Sequence, residues 1–177
     1  MKIIGIDCST NSLAFSIFED GKLTYWGEIA FGKGDHLHRM NNANRVINGM
    51  LSQSQFQGID RVVFEGAVFI NNRQTVIDLA MAYGAAVAPF IKPGVQAESI
   101  AAITWQNKIG NKSWTKAEKA AVEKKFPGKS KSWYSSKLRE MRKQRTMDWV
   151  KKEFGVKPAN DNVADAIAIG AVAAGWR

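Results

Sequence analysis

Three carboxylates sit where an apolar core would tolerate none. Asp7 closes the run Lys2-Ile3-Ile4-Gly5-Ile6, Glu65 ends Arg61-Val62-Val63-Phe64, and Asp165 interrupts Val163-Ala164 and Ala166-Ile167-Ala168-Ile169. An isolated carboxylate in such surroundings is costly. A chain that embeds them is expected to bring them to one edge, at the ends of elements that converge.

The pattern around them reads as alternating strands and helices. The Ile-rich opening stretch is a buried strand. Leu13 to Glu19 alternates, Asp20-Gly21 is a hairpin turn signal, and Leu23 to Ala30 is the returning strand. The chain therefore opens with a three-strand antiparallel meander, with Asp7 at the end of its first strand. Residues 36–57 carry Leu37, Met40, Ala43, Val46, Ile47, Met50 and Leu51 at helical spacing. Arg61 to Glu65 is a short strand. Residues 72–90 form a helix of small and apolar residues that ends near Pro89. Residues 91–99 are ambiguous, a strand broken by Pro93-Gly94.

Thr115-Lys116-Ala117-Glu118 is a capping box that opens a short helix, and Pro127-Gly128 stops it. Residues 129–136 read as a loop. A second basic helix covers 137–153 and ends at Gly155, and a final apolar helix runs from Val163 to Ala174. No internal repeat or linker demands a second unit, so residues 1–177 are expected to form one domain.

Asp161 lies four residues before Asp165 and shares its helix face. It could also serve only as that helix's N-cap, and Glu65 could be a salt-bridged strand end. Together, Asp7, Glu65, Asp161 and Asp165 suit hard Mg²⁺, which prefers oxygen ligands. Two such ions ~3.5–4 Å apart can activate water and stabilise a leaving oxygen in phosphodiester cleavage.

Charge points the same way. The 177 residues carry a formal net charge of +9. Residues 92–157 hold 17 Lys and Arg against 6 Asp and Glu, while the rest hold 8 against 10. All of the surplus sits in one segment, which implies a polyanionic partner. Lys112, Lys116, Lys131, Lys137, Arg139, Arg142, Lys143 and Arg145 are the candidate DNA contacts. Trp105, Trp114, Trp133 and Tyr134 are interleaved with lysines and could stack on unpaired bases, although each Trp alone reads more simply as a core or interface anchor. His36 and His38 read as surface residues at a helix start, and Cys8 as a small buried filler. One cysteine excludes an intrachain disulfide, and no run approaches the ~18 apolar residues of a membrane helix. A cytoplasmic setting is the simplest expectation.

These motifs, in this order, resemble the RuvC Holliday junction resolvases of the RNase H-like superfamily. Ile4-Gly5-Ile6-Asp7 before a meander is similar to the first motif of RNase H-like folds. Val63-Phe64-Glu65-Gly66, followed by Leu79-Ala80-Met81-Ala82-Tyr83-Gly84, resembles the second RuvC motif. Asp161-Asn162-Val163-Ala164-Asp165-Ala166-Ile167-Ala168-Ile169-Gly170 resembles the last. Trp105 ahead of a basic stretch looks like phage-encoded members.

The resemblance implies an α/β fold, a mixed five-stranded sheet with helices on both faces, carrying a basic segment at about 105–145. It implies a homodimer that nicks four-way DNA junctions in pairs within a bacterial cell. It also implies two Mg²⁺ ions per site, replaceable by Mn²⁺, held by four acids. Asp7, Glu65 and Asp165 carry over directly. Many relatives place the fourth ligand three residues before the last aspartate, here Asn162, and some place it four before, here Asp161. Asp161 is favoured because an amide offers a hard cation only a neutral oxygen. The aromatic residue that disturbs the junction centre in the family would be Phe69, which falls one position late. For the dimer interface, the small residues Ala80, Ala82, Gly84, Ala85 and Ala86 of helix 72–90 are the candidates.

Other readings stand beside this one. The nuclease could act on other branched DNA or on RNA–DNA hybrids. Actin-like and sugar-kinase ATPases also begin with a Gly-Ile-Asp strand, but Cys8-Ser9-Thr10-Asn11-Ser12 lacks the glycine of their phosphate loop. A DNA-binding module without catalysis would keep the basic segment and have no need for converging acids.

Overall fold

A computed structural model describes residues 1–66 and 73–176. The opening meander is β1 (Lys2–Cys8), β2 (Ser12–Glu19) and β3 (Lys22–Ala30). Its tight turn places Asp20 at φ 48° and Gly21 at φ 79° between the paired Glu19 and Lys22. Two consecutive left-handed residues make the type I′ turn that two-residue hairpins favour. β4 (Arg61–Glu65) then pairs parallel to β1, and β5 (Gln96–Ile100) parallel to β4. The sheet order is β3-β2-β1-β4-β5, a mixed five-stranded sheet as expected.

Helices cover both faces. Ile4, Ile6, Leu13, Phe15, Ile17, Val62 and Phe64 pack on one face against α1 (His36–Leu51) and α2 (Arg73–Val87), through Ala43, Ile47, Met50 and Ala86. The other face, with Ile3, Ala14, Phe18 and Val63, packs against α3 (Ala102–Lys108), α5 (Lys131–Phe154) and α6 (Asp161–Ala173). α4 (Lys116–Lys125) lies outside, against α5. α6 is apolar nearly all round because it is sandwiched between the sheet and two other helices.

α6 approaches the sheet at a point without side chains. A Cβ on Gly5 would stand 2.3 Å from the Gly170 nitrogen, and one on Gly170 would stand 2.3 Å from Ser16 Oγ. Ser16, wholly buried, donates its hydroxyl to the Ala166 carbonyl at 2.7 Å, so the contact leaves that polar group satisfied.

Several boundaries differ from the sequence expectation. Helix 36–57 ends at Leu51, whose carbonyl accepts from Gln57 Nε2 at 2.8 Å, and Ser54–Phe56 forms a separate 3₁₀ turn. Residues 129–136 are not a loop. Ser130 caps α5 by accepting from the Trp133 amide at 3.2 Å, and the helix starts at Lys131. α3 was not anticipated. Of the small residues expected to form a dimer interface on α2, Ala82 and Ala86 are buried in the chain's own core, Ala85 is half-buried, and Ala80 and Gly84 are outward with Ile77.

The glycine contact makes a stability prediction. Gly170→Ala should destabilise by about 2–3 kcal/mol or more, because the methyl has no room to enter. Gly49→Ala in α1, where nothing lies within 4 Å, should instead stabilise by about 0.5–1 kcal/mol. Urea unfolding of both variants checks the pair, and equal effects would contradict the packing.

Candidate active site

Parallel pairing sets the first two acids side by side. Ile6 of β1 is in register with Phe64 of β4, so Asp7 and Glu65 follow as neighbours at the carboxyl ends of adjacent strands. Side chains alternate across a strand, and both acids fall on the α6 face. α6 contributes Asp161 and Asp165, one turn apart. Asn160, not Asp161, is the N-cap of α6, accepting from the Val163 amide at 3.0 Å. Asp161 is thus a helical residue whose carboxylate is free of the capping role.

All four acids line one cleft of about 350 Å³. Its other wall is cationic: Arg139, Arg142 and Lys143 project from α5 at helical spacing. Lys143 is ion-paired with Asp161, and Arg142 donates to Gln106 of α3. Trp105, fully buried, donates its indole N–H to Glu65 Oε1 at 3.4 Å. Asn111, also buried, donates to the Arg142 carbonyl at 2.9 Å and to Thr146 Oγ1 at 3.0 Å, tying the turn after α3 to α5.

The acids strain against one another. Burial, followed by the charge of Glu65, holds the Asp7 carboxyl far above the ordinary carboxylate range. Burial also raises Glu65. Burial and then the charge of Asp7 push Asp165 up to about 7. Asp165 Oδ1 is buried with no hydrogen-bond partner among the described residues. A partnerless Asp165 oxygen among acids that raise one another's pKa fits a hard divalent cation, which would supply the missing positive charge. As they stand, no three acidic, histidine or cysteine side chains among the described residues gather tightly enough to enclose an ion. Lys143 meanwhile neutralises Asp161.

The expected DNA contacts divide. Arg139, Arg142 and Lys143 are at the cleft. Arg145 instead lies 3.6 Å over the Trp114 ring and pairs with Glu118 at 3.0 Å, locking α4 to α5. Lys137 pairs with Glu140 at 2.9 Å. Lys112, Lys116 and Lys131 are exposed and do not line the cleft. Phe69 lies outside the described residues. Trp105, Trp114 and Trp149 are packing anchors. Cys8 packs beside the α1 and α2 core, and burial pushes its thiol up to about 12. His36 opens α1, and the backbone of His38 bonds the capping Asp35 at 2.8 Å. Sequence reasoning missed Gln106, Asn111, Thr146 and Glu28, polar residues whose place is set by tertiary pairing.

No protein-family model and no curated protein matches the sequence. Solved structures match it in fold. T. thermophilus RuvC in complex with Holliday junction substrate aligns with a TM-score of 0.65 and 14% identity, over 97% of this chain and 90% of that one. A second Thermus thermophilus RuvC structure gives 0.62 and 15%, over 97% and 92%. The fowlpox virus resolvase, solved with substrate Holliday junction DNA, aligns over 99% and 97% at 14% identity with a TM-score of 0.49. At such identities the likeness is one of architecture: the mixed sheet and its helices are arranged as in RuvC.

The raised carboxyls make a pH prediction. Asp165 has its folded pKa above its ordinary value, so its neutral form favours the fold. The stability that goes with this is complete below about pH 4 and is lost as pH rises through about 7. Without metal, the melting temperature should fall between about pH 5 and about pH 8. Asp165→Asn should flatten that fall and melt above the unsubstituted protein at the upper end. A steeper fall in the variant would contradict the electrostatics.

Proposed function

We propose that this chain is a metal-dependent endonuclease that resolves four-way DNA junctions. One observation carries the reading: Asp7, Glu65, Asp161 and Asp165 share a cleft with Arg139, Arg142 and Lys143. A phosphodiester needs its charge neutralised as it approaches a set of carboxylates, and the cations of α5 stand across the cleft to do so. Asp7, Glu65, Asp165 and Asp161 would hold two Mg²⁺ or Mn²⁺ ions. When bound, such ions lower the pKa of water and stabilise the leaving oxygen. Trp105 orients Glu65 through its N–H. Lys143, paired to Asp161 in the free protein, also faces the space a phosphate would enter.

The junction as substrate is supported by the fold shared with RuvC, which was solved with a Holliday junction substrate. Paired nicks need two sites, and a two-fold homodimer supplies them. The outer face of α2, with Ile77, Ala80 and Gly84, is the part of the expected interface left available. Residues 1–177 would act as one nuclease domain, with the 105–145 segment supplying the cations.

The ATPase reading is disfavoured by the loop after β1. Ser9 Oγ accepts from the Asn11 and Ser12 amides at 3.2 and 3.0 Å, and the Ser9 amide donates to the Ser12 carbonyl at 2.9 Å. These three N–H donors are used within the loop, where a phosphate loop would offer them to a ligand. A DNA-binding module without catalysis would have no use for repelling buried acids.

The test is incubation with a synthetic four-way junction, a linear duplex and an RNA–DNA hybrid, each with Mg²⁺. Paired symmetric nicks are expected in the junction. Asp7→Asn should lose about a hundredfold or more in rate while binding the junction normally, since the cationic wall is untouched. Asp161→Asn should cut slowly and need more Mg²⁺, and Asn162→Ala should change little. Full activity in Asp7→Asn, or cutting in excess chelator, would overturn the reading, and cutting of the hybrid alone would reassign the substrate. Light scattering should show a dimer at micromolar concentration.

A further inference from the structure

Glu28 stands on β3, in register through Ala14 with Asp7. An exposed carboxylate is well hydrated and needs no protein partner, yet this one collects three side-chain donors. Oε1 accepts from Ser12 Oγ at 2.7 Å and from Asn162 Nδ2 at 2.9 Å, and Oε2 accepts from Asn160 Nδ2 at 2.5 Å. The two asparagines flank Asp161. Asn160 is at the same time the N-cap of α6.

The chemistry fixes the amide orientation: only Nδ2 can donate to a carboxylate. Asn162 could reach a metal only through its carbonyl oxygen, and its amide is committed to β3. Asp161 turns toward α5, where it meets Lys143. Helical spacing alone leaves both residues eligible, because each lies within one turn of Asp165.

We infer that Glu28 is a positioning residue that decides which side chain becomes the fourth metal ligand. It takes up Asn162 and steadies the first turn of α6, so that Asp161 is presented in its place. This rests on the metal-dependent reading above. Groups that orient ligands without touching the ion commonly alter metal affinity 10–100-fold.

The measurement is Mn²⁺ binding to the free protein by electron paramagnetic resonance, which needs no turnover. Glu28→Gln keeps one acceptor oxygen and puts a donor NH2 where the other stood, so it cannot hold both asparagines, and it should weaken Mn²⁺ about tenfold. Asn162→Ala, with no amide to intrude, should stay within about twofold of the unsubstituted protein. The double variant should recover most of the loss, because nothing remains to be held aside. Junction affinity without metal should be unchanged in all three. Glu28 is on the surface, so these variants should fold, and melting temperatures measured alongside separate cap loss from ligand choice. Unchanged Mn²⁺ affinity in Glu28→Gln overturns the inference. So does an equal loss with and without the Asn162 side chain, which would reduce Glu28 to a distant charge. If the unsubstituted protein binds no Mn²⁺, the metal-dependent reading falls and takes this with it; if it binds and Glu28→Gln matches it, only the role of Glu28 falls.

Discussion

The backbones of β1 and α6 meet at Gly5 and Gly170, and the rest of the site depends on that contact. Gly5 lies two residues before Asp7, and Gly170 lies five after Asp165. With no side chain between them, the helix sits low on the central strand, and Ser16 fixes its register by bonding the Ala166 carbonyl. Parallel pairing of β1 with β4 then adds Glu65 beside Asp7. A spacing wider by one methyl would lift α6 and carry Asp161 and Asp165 away from the strand ends.

The closeness has an electrostatic cost. Folding brings together carboxyls that raise one another's pKa and are partly stripped of water, an arrangement that clusters at functional sites. The cations nearby are not equivalent. Arg139, Arg142 and Lys143 face the acids, whereas Arg145 is stacked on Trp114 and paired to Glu118 and so serves to hold α4 in place. The buried Asn111 and Thr146 hold α5 at the distance that keeps its cations opposite the acids. The basic segment therefore divides in two: some of its cations line the cleft, and others build the wall that carries them.

Much of this was legible in the sequence because it follows from local rules. The Asp20-Gly21 turn, the capping box at Thr115 and the apolar periodicities of β1, β4, α1 and α6 each locate an element without tertiary information. Asp7, Glu65 and Asp165 stood out because each breaks an apolar run. Other features could not be read. Lys131 to Ser136 looked like a loop because Ser and Lys are abundant there, yet the Ser130 cap and the packing of Trp133 on Phe126 and Tyr134 sustain a helix. Asn160 and Asp161 are equally good caps by residue type, and only the backbone decides between them. Glu28 was invisible, since its meaning comes from partners 132 and 134 residues away.

Whether the clustered acids hold metal can be read from a crystal grown with Mn²⁺ and measured at the manganese absorption edge. Anomalous peaks are expected in the cleft, bounded by Asp7, Glu65 and Asp165, and should vanish in Asp7→Asn. Peaks elsewhere on the surface, with none among these carboxylates, would contradict metal binding in the cleft.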